Sequence, residues 1–429
     1  MRIIFPDPRP TGSRSRPHRF VLQSLRRPRF LSTSISVCIG ILLCVFVSVV
    51  GVFARAQGAA DAPSRKFAHA PPLLPLTDFY TTPDPLPPGK PGELIRSAPF
   101  YEYQLFYRIS VVRILYHSRA ANGQDVAASG VVLFPDKTPP PGGWPIIAWA
   151  HEFTGSARQC APSLVSNLND GPLLSMYVGL GFAVVASDYA GLGSNFPHAA
   201  LDMRSNALDV LYAVPAARAA LPQLADKWLV AGYAHGGLVS VGVAEAAAQL
   251  ADPNFLGAVA ISGLADPGQM FPRLAESSSY ATLVFLAKGI AAVSPGFRPQ
   301  DMLSADAMPV FQYVDRSCGT NSGPPLAANQ MLQPAWQNNR YVQEFFVRNT
   351  TGQKIAGVPL LIVSGDADPD VPTELTAPIV ARLCSLKNRV VFVSYPSLGA
   401  SALIGNSVSE QVSWIRARFA GRAAPSNCP

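Results

Sequence analysis

The residues with the clearest chemical meaning form a glycine-flanked turn between a predicted strand and a predicted helix. Strand residues 228–231 run directly into Gly-Tyr-Ala-His-Gly at 232–236, and residues 238–250 have the composition of a helix. In a strand–turn–helix elbow the central residue is strained, and glycines two positions to either side let strand and helix approach closely. An ordinary glycine turn is the alternative. The flanking strand and helix, with an acidic loop downstream, favour the elbow.

The centre of such an elbow would carry a hydroxyl, thiol or carboxylate that attacks a carbonyl carbon. Here the central residue is Ala234, whose methyl group cannot act as a nucleophile. Ser240 lies six positions further on, inside the predicted helix, and cannot occupy the apex. The turn therefore predicts the backbone elbow that presents a nucleophile in catalysis, but its central residue has no nucleophilic side chain.

An acidic loop follows the later predicted strand 358–364. It reads Gly-Asp-Ala-Asp-Pro-Asp-Val-Pro and lies at the carboxyl end of the strand, where an open α/β sheet places its functional groups. Asp368 is the expected acid of a catalytic triad. The alternative is that Asp368 is a loop carboxylate that caps a turn, and Asp366 or Asp370 could take that capping part as well.

A catalytic histidine should follow the next predicted strand, 390–395, because the order along the chain is nucleophile, acid, histidine. Ala400 stands where that histidine is expected. The last histidine of the chain is His235, beside the apex, whose side chain should start the helix and point away from the acid. Retained hydrolysis through another residue set, with Ser401 or His198 approaching from a neighbouring loop, is the alternative.

The elements that must position these residues alternate between short apolar runs and helical patterns. The runs are 128–134, 146–150, 182–187, 228–232, 256–262, 358–364 and 390–395. Runs this short, without clean alternation, are typical of strands that helices cover on both faces. The sequence therefore predicts an α/β fold with a mostly parallel, doubly wound sheet.

Composition divides the chain into three parts. Residues 1–56 are predicted to form an export signal or a membrane anchor, and residues 57–100 a proline-rich, extended N-terminus along the surface. Residues 101–429 should form one α/β domain. Within it, residues 264–350 contain helix-like pieces and several prolines but no strong strand run, which predicts a helical cap inserted over the sheet.

The formal net charge of +7 arises at the N-terminus. Residues 1–56 contain nine of the 34 Lys and Arg residues but one of the 27 Asp and Glu residues, so the body is near neutral and nucleic-acid binding has no support. The basic start, the uncharged apolar residues 31–54 and the Ala-Arg-Ala at 54–56 favour secretion after signal cleavage. The alternative is an uncleaved membrane anchor through residues 31–54.

Four cysteines remain once the apolar leader is set aside, namely Cys160, Cys318, Cys384 and Cys428. An even number in an exported chain predicts two disulfides, and three pairings are possible. Metal binding is less favoured because the chain has no Cys-x-x-Cys motif.

Several motifs resemble the secretory lipase family, which includes the Candida-type lipase A enzymes, over roughly residues 83–429. They are Cys-Ala-Pro-Ser at 160–163, Ser-Asp-Tyr-Ala-Gly-Leu-Gly at 187–193, the elbow, the loop that contains Asp368, and the two C-terminal cysteines. The resemblance implies an α/β-hydrolase fold that hydrolyses triacylglycerols or simpler esters under a cap, without a metal or cofactor. It also implies the disulfides Cys160–Cys318 and Cys384–Cys428.

The resemblance further implies an oxyanion-hole loop at 151–155, which reads His-Glu-Phe-Thr-Gly. Thr154 and the backbone N–H of His235 are the implied donors. Glu152 replaces the usual glycine. Because a carboxylate near a developing oxyanion would oppose it, Glu152 is expected to point outward.

On this resemblance, Ala234 and Ala400 replace the nucleophile and the histidine, and Asp368 alone is retained. Losing either member of a triad costs on the order of a millionfold in turnover. We therefore expect an inactive lipase-type scaffold that binds a lipid or ester under its cap, could contact a lipid interface, and regains activity with Ala234→Ser plus Ala400→His. Intact neighbouring motifs favour substitution of both residues; the alternative is a natural pseudoenzyme that binds lipids or esters.

Overall fold

Nine strands form one sheet in the computed structural model, which describes residues 71–106, 108–277, 281–319, 326 and 328–429. The predicted export signal or anchor at residues 1–56 lies outside the described residues, as does the start of the predicted proline-rich segment. No helix within the described ranges is both long enough and apolar enough to cross a membrane.

The sheet is antiparallel at one edge and parallel through the rest. Its strands are β1 (Leu94–Pro99), β2 (Ile109–Arg119), β3 (Asp125–Pro135), β4 (Trp144–Ala150), β5 (Ala183–Ser187), β6 (Leu224–Tyr233), β7 (Phe255–Ile261), β8 (Leu360–Gly365) and β9 (Val390–Tyr395). Their order is β1-β2-β3-β5-β4-β6-β7-β8-β9. The five pairings from β5 to β9 are parallel, and the three among β1, β2, β3 and β5 are antiparallel. The predicted mostly parallel sheet is confirmed.

Two strands at the antiparallel edge are additional to the seven that the sequence predicts. β1 begins at Leu94, so the sheet starts before the expected boundary at residue 101. β1 is short and only partly buried, and it is defined by its pairing with β2 rather than by a strong pattern of its own. The preceding proline-rich segment is expected to lie along the surface. It does not do so throughout, because Tyr80 is fully buried and its hydroxyl forms a hydrogen bond with Ser163.

Helices cover both faces of the sheet. They are α1 (Gly171–Gly179), α2 (Met203–Ala220), α3 (His235–Leu250), α4 (Pro267–Ala275), α5 (Thr282–Val293), α6 (Met308–Tyr313), α7 (Ala328–Met331), α8 (Arg340–Arg348), α9 (Thr373–Ser385), α10 (Ala400–Asn406) and α11 (Val408–Phe419). On β4, Ile146 and Ala148 join a core with α2, α3 and α9, whereas Ile147 and Trp149 join a core with α1, α10 and α11. Burial on both faces explains why the strands are continuously apolar.

The five helices α4 to α8 lie between β7 and β8 and occupy the predicted insertion at 264–350. They have a hydrophobic core of their own, which includes Phe271, Phe285 and Phe345. Two ion pairs join the insertion to the rest of the domain: Arg348 with the buried Asp202 at 2.8 Å, and Arg382 with Asp266 at 2.7 Å. That the insertion closes over a ligand remains a prediction.

Both implied disulfides are present. Cys160–Cys318 joins the loop after β4 to the insertion, and Cys384–Cys428 joins α9 to the C-terminal segment. The pairing taken from the resemblance is therefore confirmed.

Replacing Cys384 and Cys428 together by serine should lower the free energy of unfolding by about 2–4 kcal/mol, because the bond closes a loop and so restricts the unfolded chain. The two cysteines are separated by 44 positions. Urea unfolding without reductant measures the change. Unfolding of the double variant at the same urea concentration as the unmodified protein would contradict this role for the bond.

Candidate functional site

The turn between β6 and α3 has a strained backbone at its centre. Ala234 has φ 50° and ψ −119°, a region that residues with a Cβ rarely adopt. Its N–H donates to the Ile261 carbonyl at 2.9 Å, and its own carbonyl accepts from the Gly237 N–H at 2.8 Å. These bonds hold the apex between the end of β7 and the first turn of α3.

Gly232 and Gly236 allow the strand and the helix to meet. A Cβ on Gly232 would lie 2.0 Å from the Gly236 carbonyl oxygen, and a Cβ on Gly236 would lie 1.9 Å from the Ala150 carbonyl oxygen. Because Cβ atoms do not approach oxygen so closely, neither position admits a side chain. This geometry supports an elbow over an ordinary glycine turn.

A cavity of about 350 Å³ adjoins the elbow. Ala234, Asp368 and Ala400, the three predicted triad positions, all line it. Ala234 lies between β6 and α3, Asp368 follows β8, and Ala400 begins α10 after β9. Parallel strands bring these three segments together because their carboxyl ends share one edge of the sheet.

The insertion supplies an apolar wall of this cavity through Met270, Phe271 and Leu274. The loop after β4 contributes Phe153, whose ring packs edge-on against Phe285 at a centroid distance of 4.7 Å. The cavity is therefore apolar along the insertion and carries its polar groups near the sheet.

The Asp368 carboxylate is buried and is held by three donors. Its Oδ2 accepts from the Ser262 hydroxyl at 2.8 Å, and its Oδ1 accepts from the N–H groups of Asp370 and Val371, each at 3.0 Å. Ser262, which directly follows β7, is a site residue that was not predicted from the sequence. Its position at the carboxyl end of a parallel strand is the signal that could have identified it.

The other two aspartates of this loop differ from Asp368 in their surroundings. Asp366 is exposed and accepts from the Ser397 N–H, whereas Asp370 lines the cavity beside Asp368. The loops after β8 and β9 are joined by a hydrogen bond of 3.2 Å from the Ala367 N–H to the Leu398 carbonyl. This contact helps to bring Ala400 into the same cavity as Asp368.

His235 lines the cavity, and its ring makes a contact on α2. The ring Nε2 lies 3.3 Å from the Asn206 side-chain amide, so the imidazole engages α2 rather than the acid, as expected. Burial, together with the nearby His151 and His198, lowers the pKa of His235 to about 3. The ring is thus neutral at physiological pH.

The two residues of the alternative catalytic set do not line the cavity. His198 donates through Nδ1 to the Ala190 carbonyl at 2.8 Å. Ser401 is exposed and shares a hydrogen bond with the Tyr233 phenol. Their positions give no support to a replacement base.

The two implied oxyanion donors occupy different settings. The Thr154 carbonyl accepts from the Gly319 N–H at 2.8 Å, and its hydroxyl is buried without a hydrogen-bond partner among the described residues. Thr154 does not line the cavity, whereas His235 does. The His235 N–H is the first backbone N–H of α3, so it has no carbonyl acceptor one turn earlier in the helix. The roles of both donors remain predictions.

Glu152 lines the cavity, so the expectation that it points outward is wrong. Its loop is anchored at His151, whose carbonyl accepts from the Tyr189 hydroxyl at 2.9 Å and whose Nε2 lies 3.2 Å from the Asp188 carbonyl oxygen. These contacts hold His151 in the domain and leave the next residue at the cavity wall. Burial, and secondarily the charge of Asp170, raise the pKa of Glu152 to about 7.

Replacing Gly236 by alanine should lower the free energy of unfolding by about 3 kcal/mol or more, because the new Cβ collides with the Ala150 backbone. Gly405→Ala is the matched control. It lies in α10 with no atom within 4 Å of its added Cβ, and it should raise stability by about 0.5–1 kcal/mol. Urea unfolding of both variants tests this, and equal stabilities would refute the close packing.

His198→Gln should lower the free energy of unfolding by a smaller amount at pH 4.5 than at pH 7. Burial lowers the pKa of His198 to about 4, so the folded protein keeps this ring neutral while the unfolded chain protonates it below about pH 6.5. As pH falls from 7 to 4.5, the unmodified protein therefore loses stability because of the His198 ring, which the variant lacks. Chemical unfolding at several pH values measures the difference, and a difference independent of pH would contradict the lowered pKa.

Comparisons with known proteins address the family and the fold of the chain. The model of the secretory lipase family matches residues 166–427. No curated protein sequence matches the chain.

Solved structures share the fold at low sequence identity. Candida antarctica lipase A in its closed state is 18% identical, with a TM-score of 0.72 over 83% of this chain and 89% of that chain. The rice cell wall degrading esterase LipA from Xanthomonas oryzae is 19% identical, with a TM-score of 0.63 over 78% and 99%. A putative hydrolase from Legionella pneumophila is 18% identical, with a TM-score of 0.66 over 77% and 99%. These likenesses support an α/β-hydrolase fold.

Proposed function

Because the chain belongs to the secretory lipase family, we propose that it is a lipase-type scaffold that binds acyl ligands in its cavity without hydrolysing esters. The observation that carries this proposal is the methyl group of Ala234 at the strained apex, where the fold would present a nucleophile. The family and the two disulfides indicate an extracytoplasmic protein.

Binding is supported by the shape and chemistry of the cavity. Its volume of about 350 Å³ lies in the range of small-molecule sites. The wall formed by Met270, Phe271 and Leu274 matches a hydrocarbon chain, and the polar groups near the elbow match an ester or carboxyl group. Replacing serine and histidine by alanine removes few packing contacts, so the cavity would persist without the catalytic groups.

The loss of hydrolysis follows from two missing groups. Ala234 cannot form a covalent acyl intermediate, and Ala400 cannot take a proton from an attacking hydroxyl. Asp368 alone cannot replace them, because its hydrogen bonds from Ser262 and two backbone N–H groups orient no imidazole. A triad acts as a unit, so the expected loss is on the order of a millionfold.

The origin of the two alanines separates two forms of this proposal. The intact motifs around them favour substitution in an otherwise active hydrolase. The hydrogen bond from Ser262 to Asp368 favours the second form, a natural pseudoenzyme that binds lipids or esters, because it satisfies the buried acid where no histidine is present. Saturable binding of a fatty acid by the unmodified protein would support the second form.

Introducing Ala234→Ser together with Ala400→His should create hydrolysis of p-nitrophenyl butyrate and p-nitrophenyl laurate, because the pair returns a nucleophile and a base to a retained acid. Spectrophotometric release of p-nitrophenol measures it. Each single variant, and the double variant with Asp368→Asn added, are the controls and should stay far less active.

The new histidine must reach Oδ2 of Asp368, which Ser262 now contacts. Because that contact occupies the oxygen that the histidine needs, adding Ser262→Ala to the double variant should increase turnover. Hydrolysis by the unmodified protein at the rate of the double variant would refute the proposed loss of function.

A further inference from the structure

The cavity contains a carboxyl group that the triad arrangement does not use. Glu152 lies two residues after the end of β4 and shares the cavity with the apex residue Ala234. Its shifted pKa has burial and the charge of Asp170 as its causes, and no hydrogen bond contributes. Among the described residues, no group donates a hydrogen bond to its carboxylate or forms an ion pair with it.

Within the part of the chain that the structure describes, no positively charged group contributes to the pKa shift of Glu152. Asp170 and Tyr233 interact electrostatically with Glu152, and the other titratable residues that line the cavity are His235, Asp368 and Asp370. No lysine or arginine is found among the described residues that line the cavity. Burial beside other acids favours the neutral carboxyl and raises the pKa of Glu152 to about 7.

The other titratable side chains that line the cavity already have partners. Asp368 is held by three donors, and the His235 ring contacts Asn206. Asp370 has interactions of its own. A protonated carboxyl has one O–H donor, so Glu152 can supply a hydrogen bond to a ligand that enters the cavity.

We propose that Glu152 is the polar anchor of this cavity, and that its protonated carboxyl donates a hydrogen bond to the carbonyl oxygen of a bound acyl ligand. The ligand class is a neutral long-chain carbonyl compound, such as an ester or an un-ionised fatty acid. The proposal rests on the proposed acyl-binding function, because it requires an apolar chain against the insertion. It adds the residue that determines which head group the site prefers.

This role predicts a pH dependence of binding. The donor is present below a pH of about 7 and is lost as pH rises through that value. One hydrogen bond to a neutral acceptor contributes about 0.5–1.5 kcal/mol, so affinity for a carbonyl ligand should fall about two- to twelvefold between pH 5.5 and pH 8.5. A ligand without a carbonyl should show no such change.

The test compares 2-undecanone with undecane as competitors of the neutral dye Nile red, from pH 5.5 to pH 8.5. Neither competitor ionises, so any pH dependence comes from the protein. In the unmodified protein, displacement by the ketone should weaken with rising pH, and displacement by undecane should stay constant.

Three variants locate the effect. Glu152→Gln keeps an N–H donor that does not titrate, so it should bind the ketone tightly at every pH, whereas Glu152→Ala should bind it weakly at every pH. Glu344→Gln, an exposed glutamate on α8, is the matched control and should follow the unmodified protein. Constant binding of undecane shows that each variant keeps the folded cavity.

The outcomes separate the two proposals. If neither competitor displaces the dye, acyl binding itself is refuted and the anchor with it. If both bind but ketone binding does not change with pH, or if Glu152→Gln retains the pH dependence, only the role of Glu152 is overturned.

Discussion

The close contact between the end of β6 and the start of α3 is the constraint on which the rest of the site depends. At Gly232 and Gly236 the two elements approach to distances that exclude any Cβ, and this contact forces Ala234 into its strained conformation. The apex then lies at the carboxyl edge of the sheet beside the loops after β7, β8 and β9. A side chain at either glycine would separate strand from helix and move the apex away from Asp368.

The strain at Ala234 is informative because it has no evident use for an alanine. Left-handed backbone at a residue with a Cβ costs on the order of 1–3 kcal/mol and persists only where the surrounding structure enforces it. Here the hydrogen bonds to Ile261 and Gly237 enforce it. The elbow thus keeps the conformation that would present a nucleophile, although the side chain at its apex has no reactive group.

Burial determines the charge state of the groups around the elbow. The rings of His151, His198 and His235 surround Tyr189 and have pKa values lowered to about 4, 4 and 3, chiefly by burial. The same desolvation acts on Glu152 in the opposite direction, because burial favours the neutral form of any titratable group. The site therefore combines neutral imidazoles with a carboxyl, Glu152, that is close to half-protonated near neutral pH. The donors that contact Asp368 are the Ser262 hydroxyl and two backbone N–H groups.

The sequence by itself determined the features that depend on local pattern: the parallel strands, the glycines of the elbow, the aspartate-rich loop that contains Asp368 and the alanines at 234 and 400. Short apolar runs and turn residues are patterns of neighbouring positions in the chain, so these features could be predicted without a structure. The disulfide pairing came from the family resemblance. Only the tertiary structure revealed that Ser262 bonds to Asp368, 106 positions away, that β1 adds an edge strand, and that Glu152 faces the cavity. These features depend on which distant segments meet at the carboxyl edge of the sheet, and the packing of the whole domain decides that.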